Sequence, residues 1–318
     1  MEGLNGKRIA VLVGCNYQDT EYELQGCIND VLAMRDMLIE RFGFSPDNVE
    51  LLTDEPGSKV MPTGANIKKA LDQMADQAEE GDVLYFHYSG HGTLIPSLKE
   101  DEPSRKDEAI VPCDFNLITD LDFRQLVNRL PAKSSFTVLS DSCHSGGLID
   151  KEKEQIGPSA TTSRSDPHHH STRSKIISSD LILEKLKLLT SIDALHIGAH
   201  LKHHFKDDAS LRFRLTNSEI DSFGLSSADT GILLSGCQTN ETSADVNGDE
   251  SGEGKAYGAF SNAVQTVLRE DSGVISNKEV VMRARRHLQD LGFRQHPCLY
   301  CSDSNADAPF LWQPKRSS

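Results

Sequence analysis

Two short apolar runs, 83–88 (Val-Leu-Tyr-Phe-His-Tyr) and 136–140 (Phe-Thr-Val-Leu-Ser), constrain this chain most. Each reads as a buried strand and each runs directly into chemistry-bearing residues, Ser89-Gly90-His91-Gly92 after the first and Asp141-Ser142-Cys143-His144-Ser145-Gly146-Gly147 after the second. Two more short, branched runs at 8–14 and 49–53 precede them. Between the runs, 26–42 and 63–79 carry apolar residues at helical spacing: Ile28, Val31, Leu32, Met34, Leu38 and Ile39 in the first, Ile67, Leu71, Met74 and Ala78 in the second. Strand-like runs alternating with helical periodicity from residue 8 to about 148 predict an α/β fold with a largely parallel sheet. Open α/β sheets gather their reactive groups beyond the carboxyl ends of the strands. His91 and Cys143 are therefore expected to face one another across one sheet edge.

The pattern breaks at about Lys151. The stretch to Lys175 is rich in Ser and Thr, nearly devoid of large apolar residues, and holds Pro158, Pro167 and His168-His169-His170, which reads as an exposed linker. A helix is expected over 181–189, a strand over 230–237, helices over 256–269 and 277–291, and a last strand over 296–302. With 318 residues and 37% apolar content, the chain can bury a real core. The polar start, without an apolar leader, and the absence of a long apolar segment predict an intracellular protein with no signal peptide and no membrane partner. Seven cysteines form an odd set, so free thiols are expected rather than a disulfide framework. A net charge of −15 argues against nucleic acid and for cationic partners or substrates.

A thiolate is a strong nucleophile, and a neighbouring imidazole stabilises it. Cys143 and His91 can supply that pair, while the backbone N–H groups of Gly92 and Cys143 can receive a developing oxyanion. Either residue alone also reads as an ordinary strand-end residue; together, on two strands, they argue for catalysis. His87 and His144 are weaker candidates for the base.

These residues, His-Tyr-Ser-Gly-His-Gly followed by Asp-Ser-Cys-His-Ser-Gly-Gly, resemble the metacaspases, caspase-like proteases of plants, fungi and protists. Further resemblance lies in 14–17 (Gly-Cys-Asn-Tyr), 24–31, 107–112 (Asp-Glu-Ala-Ile-Val-Pro) and 256–261 (Ala-Tyr-Gly-Ala-Phe-Ser). The absence of a Pro-rich or zinc-finger prodomain and the short linker are similar to the metacaspase-9-like subgroup of the plant type II class. The resemblance implies a caspase-like (caspase-hemoglobinase) α/β fold, with a six-stranded, mostly parallel sheet covered by helices on both faces. It divides one such domain into a large-subunit-like catalytic region (1–150), a linker with a self-processing site and a helical segment (151–225) and a small-subunit-like region (226–318). His91 and Cys143 become the dyad of a cysteine endopeptidase that cuts after Arg or Lys, and Cys27, Asp30, Ser89 and Asp141 become the lining of its substrate pocket. Charge supplies an independent reason for that preference, because carboxylates near a substrate cation form charge-assisted hydrogen bonds and repel acidic residues. Without the resemblance, Asp141 also reads as a helix cap and Asp30 as a surface helix residue.

A protease of this specificity can cut its own linker, where Lys175 is the first candidate and Arg173 and Arg164 are the alternatives. No cofactor is expected; were calcium required, Glu100, Asp101, Glu102, Asp107 and Glu108 would be its candidate ligands. The acidic run 245–250 reads as a mobile loop, and Cys298-Leu299-Tyr300-Cys301 lacks the second cysteine pair that a zinc site wants. The resemblance further implies a monomer, a protein protease inhibitor as a candidate partner, a cytoplasmic and also nuclear location, and a role in programmed cell death. Two rivals remain at this stage: a catalytically silent scaffold of the same fold, and a legumain- or separase-like protease of other specificity.

Overall fold

The apolar runs form the middle of one sheet because both of their faces are covered. The computed structural model describes residues 6–96, 106–144, 146–149, 153–157, 171–222, 231–238, 241–248 and 254–311. Its strands in chain order are β1 (Arg8–Gly14), β2 (Val49–Thr53), β3 (Val83–Ser89), β4 (Gly92–Pro96), β5 (Lys106–Ile110), β6 (Ile118–Thr119), β7 (Ser135–Asp141), β8 (Glu154–Ile156), β9 (Thr172–Ser174), β10 (Gly231–Ser235), β11 (Ala244–Val246), β12 (Tyr257–Gly258) and β13 (Cys298–Tyr300). The helices are α1 (Cys27–Glu40), α2 (Gly64–Gln77), α3 (Asp120–Arg129), α4 (Ser179–Thr190), α5 (Ile197–Phe205), α6 (Leu211–Arg214), α7 (Asn217–Ser222), α8 (Ala259–Glu270), α9 (Asn277–Asp290) and α10 (Asp303–Asp307).

The main sheet runs β2-β1-β3-β7-β10-β13-β8. Its first five strands are parallel, and β13 and β8 add on antiparallel. Alternate residues of β3 point to opposite faces. Val83 and Tyr85 pack with α1, α8 and α9 through Val31, Val264 and Val281, while Leu84, Phe86 and Tyr88 pack with α2 and α3 through Ile67 and Phe123. That double burial explains why the run shows no polar alternation. A third apolar cluster joins β4 and β5 to α4, α5 and α6 through Ile95, Ala109, Ile182, Leu186, Leu201 and Phe213.

Seven strands replace the expected six. The seventh, β8, comes from the stretch read as linker, and its Ile156 pairs with Leu299 and is buried at the sheet's end. One apolar residue in three is too short a signal to stand out in a Ser- and Thr-rich context. Residues 171–175 likewise belong to the folded body: β9 pairs with β11, and Lys175 is 0% exposed. The 158–170 part, with the triple histidine, lies outside the described residues. The single sheet crosses the 1–150 and 226–318 regions, since β7 pairs directly with β10. Among the described residues, no helix is long and apolar enough to cross a membrane.

Register sets the active edge. Gly14 pairs with Ser89, Ser89 with Asp141, and Ser140 with Ser235, so four parallel strands end together. His91 and Cys143 follow the last residues of β3 and β7 by the same two positions. Leu234, wholly buried in the middle of β10, tests how far this frame depends on its core. Leu234→Ala is expected to lower the unfolding free energy by about 2–5 kcal/mol, read from denaturant titration of the Cys143→Ala background.

Candidate active site

His91 is 3% exposed, and its Nε2 donates to the Tyr22 carbonyl at 2.7 Å. A carbonyl can only accept, so the neutral imidazole carries its proton on Nε2 and keeps a lone pair on Nδ1, which makes no hydrogen bond. The Tyr17 ring packs against the imidazole, tilted at 44° with 4.8 Å between centroids, and its hydroxyl accepts the His91 backbone N–H at 3.0 Å. Burial pushes the imidazole down to about 4; the Tyr22 carbonyl pulls the other way, and the Lys175 ammonium depresses it further. The ring is therefore neutral at physiological pH.

The Cys143 thiol is held below its usual range. The largest cause is the neighbouring Cys237 thiol; burial opposes it, and the Ser243 N–H at 3.1 Å, the Ser174 hydroxyl and the Lys175 charge add to it. Cys27, also fully buried, is pushed well above the ordinary thiol range by burial. The two thiols are thus poised oppositely: Cys143 toward thiolate and Cys27 toward the neutral form.

The pocket is occupied by the chain itself. Lys175 Nζ lies 3.2 Å from Asp141 Oδ2 and 3.6 Å from Asp30 Oδ2, and donates to Ser89 Oγ at 2.9 Å. Ser89 in turn donates to Asp30 at 2.6 Å. The start of α8 supports both acids from behind, with the Gly258 N–H reaching the two Asp30 oxygens at 2.9 and 3.0 Å and the Ser261 N–H reaching Asp141 at 2.8 Å. Burial pushes Asp30 up to about 8, against the pull of the Lys175 ammonium. For Lys175 burial acts downward, but Asp141, Cys27, Asp30 and Asp245 outweigh it and hold its pKa above the ordinary range. Gly258 leaves the room that the cation fills: a Cβ there would overlap Lys175 Nζ and both carboxylates.

The Lys175 carbonyl accepts from the Gly92 N–H at 3.0 Å and the Cys143 N–H at 3.2 Å, the two donors expected for an oxyanion. Gly92 has no room for a side chain, because a Cβ would overlap the Cys143 carbonyl oxygen. On one side of Lys175, β9 lies antiparallel to β11, with Ser174 opposite Ala244 and Arg173 opposite Asp245, and the Lys175 N–H donates to the Ser243 carbonyl at 3.0 Å. On the other side, the Ile177 N–H donates to the Gly92 carbonyl at 3.1 Å and the Ile177 side chain enters the third apolar cluster. The bond from Lys175 to Ile176 thus runs across the mouth of the site, gripped on both flanks.

The structure brings Cys27, Asp30, Ser89 and Asp141 to this pocket, and buries Asp30 rather than leaving it on a helix surface. His87 is turned away, its Nε2 paired with Ser261 Oγ at 3.0 Å and its pKa pushed to about 3 by burial. His144 sits just past Cys143 in a left-handed backbone conformation, φ 53°. Arg173 is exposed and its guanidinium donates to the Glu23 carbonyl, while Arg164 lies outside the described residues. So do Glu100, Asp101 and Glu102; Asp107 pairs with Arg212, and Glu108 accepts from the Gly147 N–H. Among the described residues no group of three or more His, Cys, Asp or Glu could hold a metal ion. Cys298 and Cys301 are free and buried.

Sequence reasoning missed Cys237, Ser243, Asp245, Gly258 and Tyr22. Asp245, read as part of a mobile loop, is wholly buried in β11 and accepts from the Gln25 and Gly26 N–H groups at 2.8 and 2.9 Å. Cys237 left a signal, a cysteine two residues past another strand that ends at the same edge, and Gly258 lay within the 256–261 motif.

Comparison with known proteins agrees with this geometry. The model of the caspase domain matches residues 7–308. The chain is 59% identical to metacaspase-9 of Arabidopsis thaliana over 98% of its own length and 99% of that protein's. It is 39% identical to metacaspase-6 of the same plant over 95% of its own length and 99% of that protein's. A solved structure from Geobacter sulfurreducens, 19% identical, superposes with a TM-score of 0.60 over 95% of this chain and 97% of that one.

Two outcomes follow from the site. Iodoacetamide near neutral pH, with peptide mass spectrometry, should label Cys143 ahead of Cys27; faster labelling of Cys27 would reverse the assignment. Gly258→Ala should reduce kcat/KM for lysyl and arginyl peptides by about 100-fold, as displaced catalytic geometry does, and should shift relative preference toward the shorter ornithine.

Proposed function

Because the chain belongs to the caspase-domain family, as a metacaspase of the plant type II class, we propose that this cysteine peptidase cuts after Lys or Arg and is made as a precursor that cuts itself between Lys175 and Ile176. The observation that carries this reading is the double placement of one residue: the Lys175 ammonium lies against Asp141 while its carbonyl accepts from the Gly92 and Cys143 N–H groups.

Cys143 Sγ attacks the carbonyl carbon and passes its proton to His91 Nδ1. The oxygen takes up negative charge between two backbone donors that are already in place, so little reorganisation is needed. Collapse of the tetrahedral species breaks the C–N bond, and the imidazolium gives its proton to the departing Ile176 amine. The thioester on Cys143 is then hydrolysed by water that His91 deprotonates. Tyr22 keeps the imidazole in the tautomer that presents Nδ1.

A substrate would repeat the geometry of the internal segment. Residues before its cut would pair as a strand on β11, and its cationic side chain would replace the Lys175 ammonium. A guanidinium fits the same acids through two parallel donors. An acidic side chain would face Asp30, Asp141 and Asp245, which disfavours a legumain- or separase-like preference. No observation favours the silent scaffold. Until Lys175 leaves, it excludes other chains, which is the physical content of the precursor state.

Calcium is assigned no step; Asp107 pairs with Arg212 and Glu108 accepts from the Gly147 N–H. Family membership supports action as a cytoplasmic and nuclear monomer in programmed cell death, with a protein inhibitor as a further partner.

The deciding experiment is a panel of peptides differing only at the residue before the cut, run on wild type, Cys143→Ala and Asp141→Ala. Activity should require Lys or Arg and vanish in Cys143→Ala. Asp141→Ala should lose about 3–5 kcal/mol of transition-state stabilisation, as removal of one partner of a buried charge pair does. Equal cutting after Asp or Asn would overturn the specificity. The pH dependence follows from His91: protonated below about 4, it cannot accept the thiol proton, so self-cutting of the isolated precursor should fall as pH drops through that value and stay flat above it to neutrality. An acid limb near pH 6.5 would contradict the neutral, buried imidazole.

A further inference from the structure

Beyond the bond between Lys175 and Ile176, the chain continues along a second sheet edge. β4 ends its small sheet and pairs with β5 on one side, Gly92 lying opposite Ile110. On the other side Gly92 bridges Ile176 in parallel: its N–H donates to the Lys175 carbonyl at 3.0 Å, and its carbonyl accepts from the Ile177 N–H at 3.1 Å. One glycine thus holds the chain both before and after the scissile bond. β11 grips the residues before the cut, and the outer edge of β4 grips those after it.

The two side chains that follow the cut are treated unequally. Ile176 is half-buried, whereas Ile177 is 1% exposed. Ile177 enters the third apolar cluster, which also holds Ile95 of β4, Ala109 of β5, Val111, Phe115 and Leu117. This seat is tied to the dyad, since the Val111 N–H donates to the His91 carbonyl at 3.0 Å. After Ile177 the chain turns at once into α4, where the Ser178 side chain accepts the Leu181 N–H. Ile177 is therefore the anchor of the extended segment on the leaving side of the cut, as Lys175 is on the other.

Resting on the reading of the site as a Lys- or Arg-directed peptidase, we propose that the seat of Ile177 is a binding subsite for the second residue after a substrate's cut. It takes an aliphatic side chain, with that residue's N–H on the Gly92 carbonyl, and the enzyme's own 176–177 end vacates it once the bond is broken. A substrate needs this course because the carbonyl under attack and the N–H two residues on are held by the two polar groups of the same glycine. Strand addition of this kind draws affinity from main-chain pairing and specificity from pockets for alternate side chains. A charged residue at that position would lose its hydration among apolar neighbours without a partner. The substrate class narrows from a cationic residue alone to a cationic residue followed, two positions on, by an aliphatic one.

The test uses the purified wild-type protein and peptides cut after Lys that differ only in the second residue after the cut: Ile, Ala, Asp, and an ester analogue in which the N–H of that Ile is replaced by oxygen. A further substrate ends at the lysine in a chromogenic anilide and places nothing in the subsite. Its cutting reports the lysine-directed activity by itself. From Ile to Ala, kcat/KM should fall about 50-fold, as loss of three buried methyl or methylene groups does, and Asp should be cut more slowly still. The ester analogue should be cut about tenfold more slowly than the Ile peptide, for the missing bond to the Gly92 carbonyl. Equal rates for Ile, Ala and Asp, with the anilide cut, would overturn the subsite and leave Ile177 as a core residue that keeps its place. An ester cut as fast as the amide would overturn the pairing with Gly92. An intact anilide would remove the lysine-directed activity, and the subsite with it.

Discussion

A buried ammonium held among carboxylates is the interaction on which the rest of the molecule turns. Removing charges from water costs several kcal/mol per ion, and mutual attraction offsets this only when the geometry is good and the remaining donors and acceptors are satisfied. Lys175 meets most of those conditions with Asp141, Asp30 and Ser89. The Gly258 and Ser261 N–H groups at the start of α8 donate to the two acids, and Asp141 Oδ1 alone is left without a partner among their oxygens. The same pocket without a cation would confine two acids at close range; burial already pushes Asp30 up, and the Asp141 charge adds to it. The pocket is thus an unfavourable state that the Lys175 ammonium relieves.

The pocket requires parts that are distant in sequence to arrive together. Asp30 comes from α1, Ser89 and Asp141 from the ends of β3 and β7, and Gly258 from the N-terminus of α8. Parallel register does most of this work, because strands ending level place their following residues along one line. Backbone packing does the remainder: at Gly92 and Gly258 a single Cβ would fill the space used by the Cys143 carbonyl or by the cation.

The dyad is similarly divided between local and distant causes. A strand-end histidine is common, but its chemistry depends on which nitrogen is free, and that is decided by the carbonyl of Tyr22, 69 positions away in the chain. Burial keeps the ring neutral and ready to accept a proton. The nucleophile gains its lowered pKa from groups contributed by the other half of the sheet, chiefly Cys237 and Ser243. Catalytic competence is therefore a property of the assembled sheet edge.

The sequence by itself made legible the parallel strands β1, β2, β3 and β7, the helices α1 and α2 between them, and the strand-end positions of His91 and Cys143. Buried parallel strands leave continuous apolar runs, and reactive residues at their ends stand next to them in the chain. It did not reveal β8, whose three residues carry one buried isoleucine, nor the burial of Asp245, which depends on Gln25 and Gly26 donating to it from across the molecule. Lys175 was legible as a cationic candidate, yet its seat in the pocket was not, because the surrounding segment is polar and reads as exposed. Tertiary structure alone decided that seat, the tautomer of His91 and the contact of Cys143 with the Ser243 N–H. Each is set by contacts between residues at least 34 positions apart, which no local pattern encodes.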